Sequence, residues 1–482
     1  MTLSRSGLTL PIVGSIAVLI GFLSACGGTG ASSSGTPVAQ AAAVVSRGTI
    51  TGFGSVHVNG EHFQTSSTAF SIDGDAGTQN DLRVGHEIEV RGHHDGAGNA
   101  FADRIEMHSQ VRGPVQSVDL VASTLVVLGQ TVIVDGDTSF DDTIAGSTLT
   151  GLALADVVRV SGVRRADGAI TATRIEKLPA TVSLKVNGTV SAIDTVVHKF
   201  HVNALVVDYS TATLQGFSTG QPANGDAVEV KGASLNPAGE LVARTVEKET
   251  HDDGAPGERS ELEGLITRFV SATDFDVAGR KVTSNGSTTF QNGVAADLAL
   301  NVKVEVEGSV DANDVLVASK VEFKRHADAG IAAPIDSINA TAGTLVVLGV
   351  DITVNALTRV EDKGDQHLPM FNLSNLVVGD FVEVRGAEMP AASNDVAATR
   401  IERRRASTEV RLRGVVDTSV SPGFSILGVN VLTNAGTEFG GEDQAGMTAT
   451  TFFDGLAGKT VTVKGTFSAG VLTAREVEFE DN

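Results

Sequence analysis

Glu87-Ile88-Glu89-Val90-Arg91-Gly92, followed after a short turn by Ala102-Asp103-Arg104-Ile105-Glu106, is the stretch that decides the fold. Apolar and charged residues alternate with period two, as in a strand with one face in a core. A glycine ends the first run. The pair then returns five times. The first landmark recurs as Val157-Val158-Arg159-Val160-Ser161-Gly162, Val228-Glu229-Val230-Lys231-Gly232 and Val304-Glu305-Val306-Glu307-Gly308. Its last two copies are Val382-Glu383-Val384-Arg385-Gly386 and Val461-Thr462-Val463-Lys464-Gly465. The second landmark tracks it as Ala172 to Glu176, Ala243 to Glu247, Ala318 to Glu322, Ala398 to Glu402 and Ala474 to Glu478. The terminal glycines lie 70, 70, 76, 78 and 79 residues apart.

A period of that length exceeds the roughly 20–50 residues of a solenoid unit and fits a small self-contained domain. Working outward within the second unit, Gly113-Pro114-Val115 opens. Leu125-Val126-Val127-Leu128-Gly129 and Gln130-Thr131-Val132-Ile133-Val134 form a hairpin. A polar crossover, Asp141 to Asp156, leads to the two landmark strands. Five strands with a crossover between third and fourth predict an all-β chain, a tandem array of six small five-stranded Greek-key barrels. The oligonucleotide/oligosaccharide-binding fold is the best match, and an unclosed five-strand sandwich is the alternative. The expected domains are 46–108, 109–180, 181–250, 258–326, 328–404 and 408–482. Their short junctions predict a string of beads with limited bending.

Residues 1–25 read as a signal peptide. Arg5 precedes an apolar run, Leu8 to Phe22, that is short for a membrane span of about 20 residues. Leu23-Ser24-Ala25-Cys26-Gly27 resembles the lipobox of bacterial lipoproteins. The resemblance implies acylation of Cys26 and, with Gly27 following, an outer-membrane location. Each buried methylene of an acyl chain contributes about 0.8 kcal/mol to anchoring. A Gly/Ser/Ala tether spans 26–45. Cys26 is the only cysteine, so no disulfide or thiolate metal site is available.

Gly48-Thr49-Ile50-Thr51-Gly52-Phe53-Gly54-Ser55-Val56-His57-Val58-Asn59-Gly60, with Asp81-Leu82-Arg83-Val84-Gly85 and Val90-Arg91-Gly92 downstream, resembles the bacterial domain-of-unknown-function family 5666. The likeness runs through successive copies over 46–482. The fifth copy has Ala333 where the opening glycine is expected. The resemblance implies an exported, repeated architecture and supplies no catalytic residues.

Six of the 11 histidines fall in the first unit: His57, His62, His86, His93, His94 and His108. His93-His94-Asp95 is the sharpest candidate for a divalent metal such as zinc. The spacing matches no zinc signature, and solvent-exposed turn histidines are the plainer reading. Asp73-Gly74-Asp75-Ala76-Gly77 and Asp135-Gly136-Asp137 offer carboxylates for Ca²⁺ but are also ordinary turn chemistry. Glu87, Glu89, Glu229, Glu305 and Glu383 read as a solvated strand face. Phe70, Phe140 and Phe290 read as core. No nucleophile elbow, phosphate loop or dinucleotide fingerprint is present. A net charge of −22 and the absence of Trp argue against nucleic acid, which needs basic grooves and stacked aromatics. The expected function is non-enzymatic, with no cofactor: a binding or scaffold array held to the membrane by lipid and facing envelope proteins. The alternative is a metal-binding or enzymatic protein with its site in the first unit.

Overall fold

The second repeat shows how the alternation folds. In the structure, a computed structural model describing residues 42–324, 327–368, 370–440, 446–456 and 458–480, Val111–Asp119 is its opening strand. Thr124–Val127 and Gln130–Ile133 form the hairpin, and Val157–Arg164 and Ile170–Leu178 are the two landmark strands. The third strand runs parallel to the fifth, and the fourth returns antiparallel to the first. With the remaining antiparallel pairs this closes a ring of five. The same ring recurs in the other five repeats, closed each time by the parallel third–fifth pair. Val111, Val127, Val132, Val158, Val160 and Ile175 fill the barrel, as period-two patterning requires. The sixth repeat places the α-helix Ala449–Gly455 in its crossover and buries Phe452. Phe140 is buried, and Phe70 and Phe290 are half-buried against their own cores.

Two glycines of the repeat have steric reasons. The one that ends the first landmark sits at a bulge in every module. A Cβ on Gly162 would lie 2.3 Å from the Thr171 carbonyl oxygen, and one on Gly308 2.1 Å from that of Val317. The opening glycine makes room for the first hairpin: a Cβ on Gly113 would meet Leu128 Cγ at 2.5 Å. Leu128 holds a left-handed backbone (φ 46°), unusual for a branched side chain, and is fully buried.

Modules 2 and 3 join by antiparallel pairing of their opening strands, and modules 5 and 6 do the same. Modules 1 and 4 join differently. Their opening strands, Ala42–Phe53 and Arg259–Ser271, pair in parallel from Val44↔Arg259 to Arg47↔Leu262. Pairing with the fourth strand of its own module, from Ala42↔His94, carries the first strand back to Ala42, into the expected tether. Residues 41–482 form one compact unit. This corrects the string of beads: modules distant in sequence touch because their charged strand faces meet one another instead of water. The expected signal peptide, Cys26 and the expected tether up to residue 41 lie outside the described residues.

Candidate functional site

The expected solvated glutamate face is in fact an interior. Glu305 is 1% and Glu89 6% exposed, and Glu87, Glu229 and Glu383 are mostly covered. A buried carboxylate persists where cations and hydrogen-bond donors meet it, here supplied largely by strands of the same module and, at Glu383, also by Arg411 of module 6. Glu229 receives Lys185 at 2.8 Å and Lys231 at 2.7 Å. Glu383 lies between Arg385, Arg404 and Arg411.

Asp73, from a loop that offered itself as a Ca²⁺ cage, is fully buried and surrounded by cations. Its carboxylate accepts from the Ser109 amide and hydroxyl (both 2.8 Å), Arg112 of module 2 (3.1 Å) and Lys185 of module 3 (2.7 Å). Burial alone would raise its pKa, yet Lys185, Arg159 and Arg112 hold it far below the usual carboxylate range. One side chain thus ties three modules.

His86 makes a second tie. Its Nδ1 accepts the Arg83 backbone N–H (3.1 Å), so Nε2 carries the proton and donates to Glu176 of module 2 (2.9 Å). The imidazole is neutral, its pKa lowered by burial against the pull of Glu176. Arg174, 2% exposed at its side chain, reaches the Val84 carbonyl of module 1 and Glu361 of module 5.

Beside these ties the modules leave open space. A cleft of about 590 Å³ lies among modules 1, 2, 3 and 4, and a cavity of about 380 Å³ among modules 1, 2, 4 and 5. Both are lined by Val163, Arg165 and Glu263. Module 1 contributes Arg47 and Thr49 from its first strand, opposite Glu89 and Glu87 of its fourth. Thr49 Oγ1 donates to Glu263 of module 4 at 2.7 Å and also lies against Glu87. A hydroxyl has one proton and cannot donate to both carboxylates at once. Burial, then the neighbouring Glu263, raise the Glu87 pKa. Against burial, Lys303 (2.8 Å) holds Glu263 charged. His251 bridges Glu89 and Glu249, each at 3.4 Å. Arg47 and burial oppose its protonation, but the two carboxylates outweigh them and raise its pKa. The cleft is therefore a charged, desolvated junction that single modules lack.

The histidines singled out in the sequence do not converge. His93 faces Asp103 (3.1 Å) and stacks on Phe101, and His94 turns to Glu61 (3.2 Å). Asp95 accepts from the Ala97 and Asn99 amides of its own turn. His57 packs on His62, and its pKa is lowered to about 4 by burial and by that neighbour. His108 lies 3.9 Å from Glu229. Among the described residues no three His, Cys, Asp or Glu side chains are grouped to hold a metal. Asp135 caps its own turn, taking the Asp137 amide. Sequence reasoning missed Arg47, Thr49, Arg174, His251 and Lys303. One signal was present: every second landmark carries Arg or Lys two or three residues before its closing Glu, and four of the six first landmarks carry glutamates.

Compared with known proteins, six segments match a family described as Domain of unknown function (DUF5666): residues 44–106, 112–176, 187–247, 263–322, 333–402 and 413–478. No curated protein matches the chain. A solved structure, drosophila Unr CSD456, aligns at 13% identity over 45% of this chain and 98% of that chain, with a TM-score of 0.12.

Proposed function

The chain belongs to the DUF5666 family, and we propose that it is a lipid-anchored protein of the bacterial cell envelope whose six barrels act together as a non-enzymatic binding body for envelope proteins. The observation that carries this reading is the union of all six modules in one unit, 41–482. The strand glutamates that separate modules would offer to partners are largely covered, paired with cations of their own module and, at Glu383, with Arg411 of module 6. Among the outward residues, exposed valines recur at one place in the module. Val121 (90% exposed), Val196 (85%) and Val420 (81%) stand at or beside the turn joining the first two strands of modules 2, 3 and 6. Solitary exposed valines are common, but the same position in several modules suits contact with protein. The lipobox supplies the anchor, and the net charge of −22 disfavours nucleic acid.

The test has two arms. Labelling with an acyl analogue is expected on the wild-type chain and absent from Cys26→Ser. Affinity purification from detergent-solubilised envelopes is expected to yield a discrete, stoichiometric protein partner. Replacing Val121, Val196 and Val420 with Asp should abolish it while melting stays unchanged. Equal recovery with the triple variant, or no partner, contradicts the binding role.

A further inference from the structure

The cleft among modules 1, 2, 3 and 4, about 590 Å³, is of a size that holds small ligands, about 300–1,000 Å³. Most charges on its walls are engaged. His251 bridges two carboxylates, Lys303 holds Glu263, and Arg280 donates to Ser260 and the Asp253 carbonyl. Two charges are not. Half-buried Arg47 makes no salt bridge and donates no side-chain hydrogen bond among the described residues. Glu87 has the Thr49 hydroxyl and no salt bridge among the described residues. Both lie on the outward face of module 1, on adjacent strands paired Arg47↔Glu89 and Thr49↔Glu87. An unpaired cation and an unpaired carboxyl thus look into one cleft.

We propose that this cleft binds a small zwitterion bearing a carboxylate and an ammonium group, of the amino-acid or short-peptide class. Its carboxylate meets Arg47 and its ammonium meets Glu87. A guanidinium fork accepts a carboxylate through two parallel N–H···O bonds. Glu89, Glu249 and Glu263 around the site disfavour a doubly charged phosphate. A ligand with no net charge also escapes the long-range repulsion of a chain carrying −22. Burial and Glu263 favour a proton on Glu87 in the empty cleft. An arriving ammonium favours the ionised form.

Calorimetric titration of the full chain at neutral pH with alanine, alanyl-alanine, acetate and ethylamine tests the site. One of the first two is expected to bind at least about tenfold tighter than either half-molecule. Which one binds decides between amino acid and peptide. Arg47→Ala and Glu87→Gln should each weaken that binding about tenfold or more, with Arg47→Lys retaining part of it. Equal affinity for all four probes, no binding of either zwitterion, or unchanged affinity in both variants overturns the proposal.

Discussion

The seam between modules 2 and 3 and the seam between modules 1 and 2 differ in what they bury. Across the first runs one continuous apolar cluster, from Val111 and Val160 to Val186, Phe200 and Val230. Modules 5 and 6 share a cluster in the same way. Modules 1 and 4 keep separate cores. Module 1 meets modules 2 and 3 through Asp73, His86 and Arg174, and module 4 meets module 1 through paired opening strands and the Thr49–Glu263 hydrogen bond. Apolar burial is non-directional and holds a pair together over a wide range of conditions. Buried ion pairs are directional. They fix which module meets which and fail sharply when one partner is lost.

The largest effect should follow from breaking the polar seam. Asp73→Ala leaves Lys185 and Arg112 without their shared carboxylate and should cost about 3–5 kcal/mol, the usual penalty for stranding a buried charge. Calorimetry should then show module 1 melting apart from modules 2 and 3. A single unchanged transition would mean that apolar packing alone unites them.

Within the apolar seam, Gly113→Ala pushes a methyl group onto Leu128 and should destabilise by about 1–3 kcal/mol, as overpacking does. Denaturant unfolding measures this. The fifth module carries Ala333 at that position, so Ala333→Gly should not stabilise it.

Acid separates two histidines within the polar seams. His86 has a folded pKa below its ordinary 6.5, so its contribution is complete above 6.5 and is lost as pH falls. His251 has a raised folded pKa, so its contribution is complete below 6.5 and is lost as pH rises through the folded value. Relative to His86→Gln, wild type should therefore lose stability on acidification. Relative to His251→Gln it should gain. Each slope is at most about 1.4 kcal/mol per pH unit. Parallel pH profiles for all three chains would remove the histidines from the account.

The smallest effect belongs to the surface. Arg475 and Glu409 lie 2.7 Å apart with both side chains about half exposed. Arg475→Ala should change stability by about 0–1 kcal/mol, as exposed pairs do. A loss as large as that of Asp73→Ala would erase the distinction between surface and seam.

The barrel was legible in the sequence because strand alternation is local. Val158 and Val160 announce their burial within four residues, and the crossover at Asp141 to Asp156 announces the Greek key. The landmark glycines were visible as punctuation, and their reason, a carbonyl approaching from the fifth strand, follows from the bulge. The site was not legible. Ser46 meets Glu261 across 215 positions and Arg174 meets Glu361 across 187, and no local pattern says which charged face covers which. A charged strand face reads the same whether water or another module lies against it. The histidines misled because neighbours in sequence fell on different strands and turns of one barrel, where His57 and His62 pack together and His86, His93, His94 and His108 each meet a different carboxylate.

The central claim, that modules far apart in sequence form one body, can be tested at a single contact. Leu357 of module 5 lies against Gly60 of module 1, where a Cβ would stand 3.6 Å from Leu357 Cδ2. With a photo-reactive residue at 357 in dilute protein, illumination should join that peptide to the segment around Gly60 within one chain, read by mass spectrometry. Adducts confined to modules 4 and 6, the neighbours in sequence, would contradict the account.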